Sequence, residues 1–253
     1  MGGNRRMAIF TLSAFADEYS PIFDEQIKGL RANGMHLIEL RGIDEINISD
    51  LSDEKAREVK AKLDVAGIGI SALGSPIGKI RIDEDFEAHK AKLRRTCEIA
   101  GILGAKRIRM FSFYHEGGDN WTAEEREEVL KRLRQMIEYA TSQDIILLHE
   151  NEKGIYGDTA DRCADLMKEL YCDNFKYVFD PANFVQCAQD TKYAYEILKD
   201  YIAYMHIKDA LFENGRVVPA GRGDGNVEYV LSKVLESGYD GFFSLEPHLG
   251  SFE

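Results

Sequence analysis

The sequence lacks the long apolar runs and leader patterns that mark membrane and secreted proteins. None of its hydrophobic stretches approaches the roughly 18 residues that a transmembrane helix needs, so we expect no membrane partner. Residues 1–7 are basic, but no apolar core or cleavage site of a signal peptide follows them. The sequence therefore predicts a cytoplasmic protein.

Cysteine is scarce, and no two cysteines form a C-x-x-C pair. The four present are Cys97, Cys163, Cys172 and Cys187. A chain of 253 residues needs no disulfides to stabilise its core, so we expect reduced and mostly buried thiols. Linkers rich in proline or serine, low-complexity segments and shifts in composition are also absent from the sequence. This uniformity predicts a single domain over residues 1–253.

Basic residues are outnumbered by acidic ones, 32 against 44, and the formal net charge is -12. Because a strongly acidic chain repels phosphate backbones, the sequence disfavours a nucleic-acid partner. It leaves open whether the protein forms a homo-oligomer.

A strand, a loop and a helix alternate along the chain. We place strand starts near residues 8, 36, 68, 106, 145, 175, 202 and 242, which are spaced by 27 to 40 residues. Such spacing suits a right-handed βαβ unit each time, and eight units predict an α/β protein with a (β/α)8 TIM barrel. The sequence leaves no room for an eighth helix after the last strand. Either the chain is truncated, or a neighbouring subunit or the amino terminus covers the gap.

Local signals predict where individual elements begin. The first strand is expected at Ala8–Ser13. Ser20 and Pro21 predict the start of the first helix, with serine as N-cap and proline at the first helical position. Between the sixth and seventh strands, the one helix predicted is Asp190–Lys199.

Four predicted strands end in a polar side chain of similar chemistry. An aliphatic run from Ile145 leads directly into Glu150, as expected for a strand buried on both faces. Three later strands end at Asp180, His206 and Glu246. The carboxyl ends of parallel strands form the edge where α/β enzymes place catalytic residues. We therefore expect these four side chains to lie together.

Each of these residues alone has an ordinary explanation, such as a helix cap or a salt bridge. Together, three carboxylates repel each other unless a cation neutralises them, so the group predicts a metal site. Mixed oxygen and nitrogen ligands suit Mn²⁺, Mg²⁺, Co²⁺ or Zn²⁺. The absence of thiolates argues against a structural zinc site.

The segments around these positions resemble the xylose-isomerase-like TIM barrels, a superfamily of sugar and sugar-phosphate isomerases, epimerases and related dehydratases. The matching segments are Leu148–Glu152, Phe179–Asn183, His206–Asp209, Gly221–Gly225, Gly238–Gly241 and Leu245–Pro247. The resemblance implies a sugar or sugar phosphate as substrate and one divalent metal ion, with Mn²⁺ preferred. Its implied ligands are Glu150, Asp180, His206 and Glu246.

In the epimerases of this superfamily, the glutamates that match Glu150 and Glu246 also move the proton. A metal ion chelated by a ketone and its neighbouring hydroxyl polarises the carbonyl and stabilises an enediolate. One carboxylate can then remove the adjacent proton, and a second can return it to the opposite face. The resemblance therefore implies a ketose 3-epimerase or an aldose–ketose isomerase.

Three alternative functions are compatible with the same fold. A dehydratase of the inosose or 3-dehydroshikimate type would share the enediolate step and then expel a hydroxyl group. Endonuclease-IV-like DNA repair is disfavoured by the acidic charge and by Asn183, which stands where metal-richer relatives carry a histidine. A non-catalytic sugar-binding barrel would not need two carboxylate bases.

Five further residues are candidates for substrate binding. Lys208 and Arg222 could bind hydroxyl, carboxylate or phosphate groups, or remain solvated charges. Glu39 ends the second strand and could line the site or serve the structure. Trp121 follows the fourth strand and could form an apolar wall for a sugar. The fifth candidate is Asn183, close to Asp180.

Overall fold

Eight parallel strands form the centre of the computed structural model, which describes residues 9–118 and 120–249. The strands are β1 (Ile9–Ala14), β2 (Leu37–Leu40), β3 (Gly69–Gly74), β4 (Arg107–Met110), β5 (Ile146–Glu150), β6 (Phe175–Phe179), β7 (Ile202–Ile207) and β8 (Asp240–Leu245). Hydrogen bonds join them in the order β1-β8-β7-β6-β5-β4-β3-β2. Because the first strand pairs in parallel with the last, the sheet curls into a barrel. The predicted α/β fold with a (β/α)8 barrel is confirmed.

The barrel has one gap in its hydrogen bonding. β1 and β2 lie against each other, yet no ladder joins them within residues 9–118 and 120–249. We call this line between β1 and β2 the seam.

Eight helices in the described ranges accompany the strands. They are α1 (Phe23–Ala32), α2 (Asp53–Ala66), α3 (Phe86–Leu103), α4 (Ala123–Ser142), α5 (Ala160–Leu170), α6 (Pro181–Gln186), α7 (Thr191–Leu198) and α8 (Val227–Glu236). Their ends follow local sequence signals in several cases. The Ser52 hydroxyl caps α2 by accepting the N–H of Lys55 at 3.1 Å, and Gly67 ends that helix with φ 68°.

Strand alternation separates two layers of apolar side chains. Ala72, Leu148, Val178 and Tyr204 form a small cluster inside the barrel, whereas Leu147 belongs to the larger cluster between strands and helices. Successive strand residues point to opposite faces. Glu150, two residues after Leu148, therefore points into the barrel at its carboxyl end.

The predicted start of the first helix is wrong by two residues. The helix begins at Phe23, and its N-cap residue Ile22 offers no side-chain cap. Ser20 instead accepts the N–H of Ile22, while Asp44 Oδ1 accepts the N–H of Phe23 at 2.8 Å. The cap comes from a residue 21 positions away, so a local pattern does not reveal it.

The short helix α6 was not predicted. Asp180 ends the run of β6 and caps this helix, because its Oδ1 accepts the N–H of Asn183 at 2.9 Å. Pro181 occupies the first helical position. The predicted helix Asp190–Lys199 appears as α7, one residue shorter at each end.

The predictions for residues 1–7 and for Ala8 as the start of the first strand lie outside the described residues. β1 spans Ile9–Ala14.

Among the helices of residues 9–118 and 120–249, none combines the length and apolar composition needed to cross a membrane.

Candidate metal centre

The carboxyl ends of β5 to β8 bring the four predicted ligands together. Glu150 is the last residue of β5, Asp180 and Glu246 directly follow β6 and β8, and His206 is the penultimate residue of β7. One ligand atom from each residue lies within 4.8 Å of the other three, and all four side chains are buried. This group could hold a metal ion.

The atoms at the centre of the group fit a divalent cation. Nδ1 of His206 lies 2.9 Å from Glu150 Oε1, 3.4 Å from Glu246 Oε2 and 3.9 Å from Asp180 Oδ2. Glu150 Oε2 and Asp180 Oδ2 are buried and form no well-aligned hydrogen bond in the described structure, although Arg109 lies 3.3 Å from the first and Lys208 2.8 Å from the second. Three carboxylates converge here, so a divalent cation would offset their mutual repulsion further than these two side chains do. Imidazole and carboxylate together suit the divalent ions predicted from the sequence.

Glu39 lies beside His206 inside the barrel, with 1% of its surface exposed. Its Oε1 and Oε2 lie 3.4 and 3.3 Å from His206 Nε2, and Oε2 accepts the hydroxyl of Tyr204 at 2.8 Å. A carboxylate at the far ring nitrogen orients a metal-binding histidine and fixes the tautomer that leaves the other nitrogen free. These contacts favour a positioning role for Glu39, and its predicted contact with substrate stays a prediction.

Burial and neighbouring charges act in opposite directions on the carboxyl groups. Burial would raise the pKa of Glu150, but the charges of His206 and Arg109 outweigh it and lower that pKa to about 2. Burial raises the pKa of Asp180 to about 6, although Lys208 opposes the change. Glu150 is therefore ionised at neutral pH, as a metal ligand has to be.

Two of the predicted substrate-binding residues lie directly against the ligands. The ammonium of Lys208 is 2.8 Å from Asp180 Oδ2 and 3.0 Å from Glu246 Oε2. Asn183 Nδ2 is 3.2 Å from Glu150 Oε1. Both side chains are buried, so their polar groups are held in fixed positions beside the cluster.

The other two candidates, Arg222 and Trp121, do not line the cavity over the cluster. Arg222 is exposed. Trp121 packs between His115 and Tyr156, with ring centroids 4.1 and 5.2 Å away. Their binding of substrate stays a prediction.

A cavity of about 290 Å³ opens above the cluster. Glu150, Glu246 and Lys208 line it, together with basic residues that the sequence analysis did not select, Arg41, Lys79 and Arg109. Arg41 follows β2 directly, and Arg109 shares the inward face of β4 two positions after Arg107. Because successive strand residues point to opposite faces, the positions of Arg41 and Arg109 could have been predicted from the sequence to face the inside of the barrel.

Arg41 links three acidic side chains across the seam. Its guanidinium lies 2.8 Å from Asp17, 3.0 Å from Glu18 and 2.9 Å from Glu246 Oε1. His248 Nε2 is 3.2 Å from the same oxygen of Glu246. Both oxygens of Glu246 therefore contact basic side chains, Oε1 those of Arg41 and His248 and Oε2 that of Lys208. Glu150 Oε2 lies 3.3 Å from Arg109.

The glycine-rich segment Gly221–Gly225 is fixed by Asp209 rather than being free. The Asp209 carboxylate accepts the N–H groups of Gly221, Gly223 and Gly225 at 2.8 to 2.9 Å. An added Cβ at Gly223 would overlap the carbonyl oxygen of Ala210 and lie 2.5 Å from Asp209 Oδ1. The glycines allow the backbone to wrap around one carboxylate.

We expect Gly223→Ala to lower the free energy of unfolding by about 1–3 kcal/mol, the usual cost of overpacking. The matched control is Gly101→Ala, because a Cβ there meets no atom within 4 Å and Gly101 lies inside α3. Alanine should stabilise that helix by about 0.5–1 kcal/mol. Urea unfolding of both variants measures the difference, and equal stabilities would contradict this account of the segment.

We expect Glu39→Gln to weaken metal binding by about 10–100-fold, the usual effect of removing such a supporting carboxylate. Glu152→Gln is the control, since Glu152 lines the same cavity but pairs with Lys79 at 2.8 Å. Calorimetric titration with Mn²⁺ compares the two variants. Equal affinities would show that Glu39 does not position His206.

Comparison with known proteins identifies the family. The family model for xylose isomerase-like TIM barrels matches residues 27–250. The chain belongs to this family. The resemblance found in the sequence is thereby confirmed.

Individual relatives in the xylose isomerase-like family differ in their reactions. A 3-dehydroshikimate dehydratase of Bacillus anthracis is 23% identical over 184 residues, which cover 66% of this chain and 65% of that protein. A solved D-tagatose 3-epimerase-like protein has a TM-score of 0.78 and 18% identity, covering 95% of this chain and 92% of that one. A xylose isomerase-like TIM barrel protein from Mycobacterium smegmatis, solved in complex with magnesium, has a TM-score of 0.73 and 19% identity over 99% and 93% of the two chains. The two solved structures share the fold with this chain.

Proposed function

We propose that the protein is a metal-dependent isomerase or epimerase that moves a proton next to the ketone of a sugar or sugar phosphate. The observation that carries this proposal is the buried group of three carboxylates and one imidazole, with two of its glutamates open to one cavity. The similarity to a D-tagatose 3-epimerase-like protein supports it.

Glu150, Asp180, His206 and Glu246 would hold one divalent ion, with Mn²⁺ preferred. The convergence of three buried carboxylates on one imidazole nitrogen supports this assignment, as does the magnesium complex of a family member. When bound, the ion supplies a Lewis acid that makes the carbon next to the ketone more acidic.

Glu150 is placed to take the substrate proton. Its Oε1 contacts His206 and Asn183, which hold the carboxylate in one orientation, while Oε2 lies 3.3 Å from Arg109 without a well-aligned hydrogen bond. The remaining oxygen can accept a proton from a carbon in the cavity, and leave an enediolate. Lys208 can then donate a hydrogen bond to the negative oxygen of that enediolate.

Return of the proton decides the product. If Glu246, protonated from solvent, delivers its proton to the opposite face of the same carbon and Glu150 releases its proton to solvent, the centre is inverted and the enzyme is an epimerase. If Glu150 returns it to the neighbouring carbon, a ketose and an aldose interconvert. The contacts of Glu246 Oε1 with Arg41 and His248 hold this glutamate in one orientation beside the cavity.

A dehydratase is the second candidate, because the cavity wall carries cations suited to an acidic substrate. Arg109 is 5% exposed; its guanidinium lies 3.3 Å from Glu150 Oε2, while its Nε forms no hydrogen bond in the described structure. Lys79 lies beside it, 4.2 Å above the ring of Phe111. A guanidinium binds a carboxylate through parallel hydrogen bonds. Proton removal by Glu150 followed by loss of a β-hydroxyl as water would give the reaction named for the Bacillus anthracis relative.

Incubation of the Mn²⁺-loaded protein in D₂O separates these outcomes. The panel contains neutral ketoses, ketose phosphates and 3-dehydroshikimate. Deuterium at C3 of a ketose indicates epimerisation, deuterium at C1 or C2 indicates isomerisation, and a dehydrated product indicates the second candidate. In Arg109→Met, we expect turnover to fall more with acidic substrates than with neutral ones, because Arg109 also contacts the proposed base Glu150 and so affects both. Metal-loaded protein that neither exchanges a proton nor forms a dehydrated product would contradict both functions.

We also propose that nucleic acid is not a substrate and that the protein acts in the cytoplasm. The net charge of -12 supports the first statement, because it opposes the approach of a polyanion. Cleavage of an abasic-site duplex at physiological salt, lost in Glu150→Gln, would contradict it.

A further inference from the structure

The amino end of the barrel contains a second cavity, which the proposed function does not use. Its volume is about 400 Å³, and it is lined by residues at the amino ends of β4 to β8 and by the turn between α8 and β8. The metal centre lies at the carboxyl ends of the strands, so the barrel separates the two sites. Ile146 and Leu148 of β5 form part of the apolar wall.

Three cationic side chains line this cavity, Arg107, Lys176 and Lys199. Arg107 and Lys176 lie on the two strands that flank β5, opposite Ile146 and Leu148. Both side chains therefore reach the cavity from the inward face of the barrel. In a chain with net charge -12, this is a local excess of positive charge.

Arg107 is half-buried and has no carboxylate within 4 Å among residues 9–118 and 120–249. Its guanidinium lies 4.6 Å from the ring centroid of Phe242, which also lines the cavity. Burial lowers the pKa of Arg107, because no nearby acid compensates for the lost hydration. A half-buried cation that lacks an acidic partner has an unfavourable desolvation energy, which a bound anion would offset.

The other charged residues around the cavity do not compensate for the excess of positive charge. Lys176 lies 3.6 Å from Asp173, whose side chain is fully exposed, so the pair is weak. Lys199 pairs with Glu196 on the surface of α7. Among the described residues that line the cavity, Asp240 is the one acid, and it is exposed.

We propose that this cavity binds a small oxyanion, the phosphate or carboxylate group of a metabolite. Arg107 would bind the oxyanion through paired hydrogen bonds, and Lys176 would add a mobile positive charge. The rings of Tyr239 and Phe242 give the rest of the ligand an apolar surface. This site is independent of the metal centre and of the reaction proposed for it.

The test uses thermal unfolding and calorimetry of the full chain with potassium phosphate, against potassium chloride at equal ionic strength. We expect phosphate to raise the unfolding temperature of the wild type and to bind at least 10-fold more weakly to Arg107→Gln. Lys176→Gln should also weaken phosphate binding. This second variant tests the proposal if Arg107→Gln does not fold. Benzoate in place of phosphate shows whether a carboxylate or a phosphate is preferred.

The control is Arg134→Gln, since Arg134 is an exposed cation on α4 that lies 3.6 Å from Glu169. It should bind both anions as the wild type does, and Mn²⁺ content should be equal in all variants. If Arg107 has only a structural role, Arg107→Gln should be less stable than the wild type in chloride but should still be stabilised by both anions. That result, or binding of neither anion to the wild type, would overturn the proposal.

Discussion

Replacement of Glu150 by glutamine should reduce turnover by roughly 10²–10⁴-fold, the effect typical of losing a general base. Glutamine keeps an oxygen that can contact His206 and a metal ion, so metal affinity should fall only in part. One carboxylate oxygen becomes an amide nitrogen, and the amide that remains beside Arg109 is too weak a base to take a proton from carbon. Turnover and metal content of the same preparation measure the two effects separately.

The comparison with Glu246→Gln tests whether two bases are at work. If the enzyme is an epimerase, each variant should still exchange the proton on the face served by the remaining glutamate. Deuterium wash-in to both epimers reports this directly. Near-wild-type turnover of metal-loaded Glu246→Gln would show that Glu246 is a ligand alone, and would contradict the two-base mechanism.

Removal of the imidazole or of the central aspartate should abolish metal binding without unfolding the barrel. His206→Ala deletes the nitrogen at which the three carboxylates converge. Asp180→Asn is the gentler change, because asparagine can still cap α6 as Asp180 Oδ1 does. We expect elemental analysis to find less than about one-tenth of the wild-type metal, given that metal sites need their full ligand set.

Two checks accompany this result. Circular dichroism should show the same helix and strand content in both variants as in the wild type. Lys208→Met is the matched control, since Lys208 contacts Asp180 and Glu246 but cannot ligate a metal while protonated. A full metal complement in His206→Ala would defeat the assignment of the centre.

The barrel and the four grouped side chains could be predicted because both depend on short periodic signals. Apolar runs of about five residues set the strands, and the residue after each run falls at one edge of the sheet. Glu150, Asp180 and Glu246 share that position. Grouping these side chains did not require the full strand order, because consecutive parallel strands usually lie near one another.

The supporting residues depend on contacts between distant parts of the chain, which periodicity does not reveal. Glu39 reaches His206 from 167 positions away, and Arg41 reaches Glu246 from 205 positions away. The start of α1 was predicted wrongly for the same reason, since Asp44 supplies its cap. The glycine-rich motif around Arg222 has a structural explanation that the sequence did not reveal, because Asp209 accepts the N–H of Gly223. Substrate binding by Arg222 stays a prediction.

The seam between β1 and β2 has a consequence for how the barrel opens. Amide groups that face this line lack a ladder partner in the described structure, so hydrogen exchange should be fastest there. At the carboxyl end, Arg41 ties the segment after β2 to Asp17 and Glu18 after β1. Transient separation of the two strands should therefore begin at their amino ends. The continuous ladder from β5 to β8 can stay closed during such an event, so the strands that carry the four candidate ligands stay joined. The contacts of Glu39 and Arg41 with His206 and Glu246 are then the part of the site most affected by this motion.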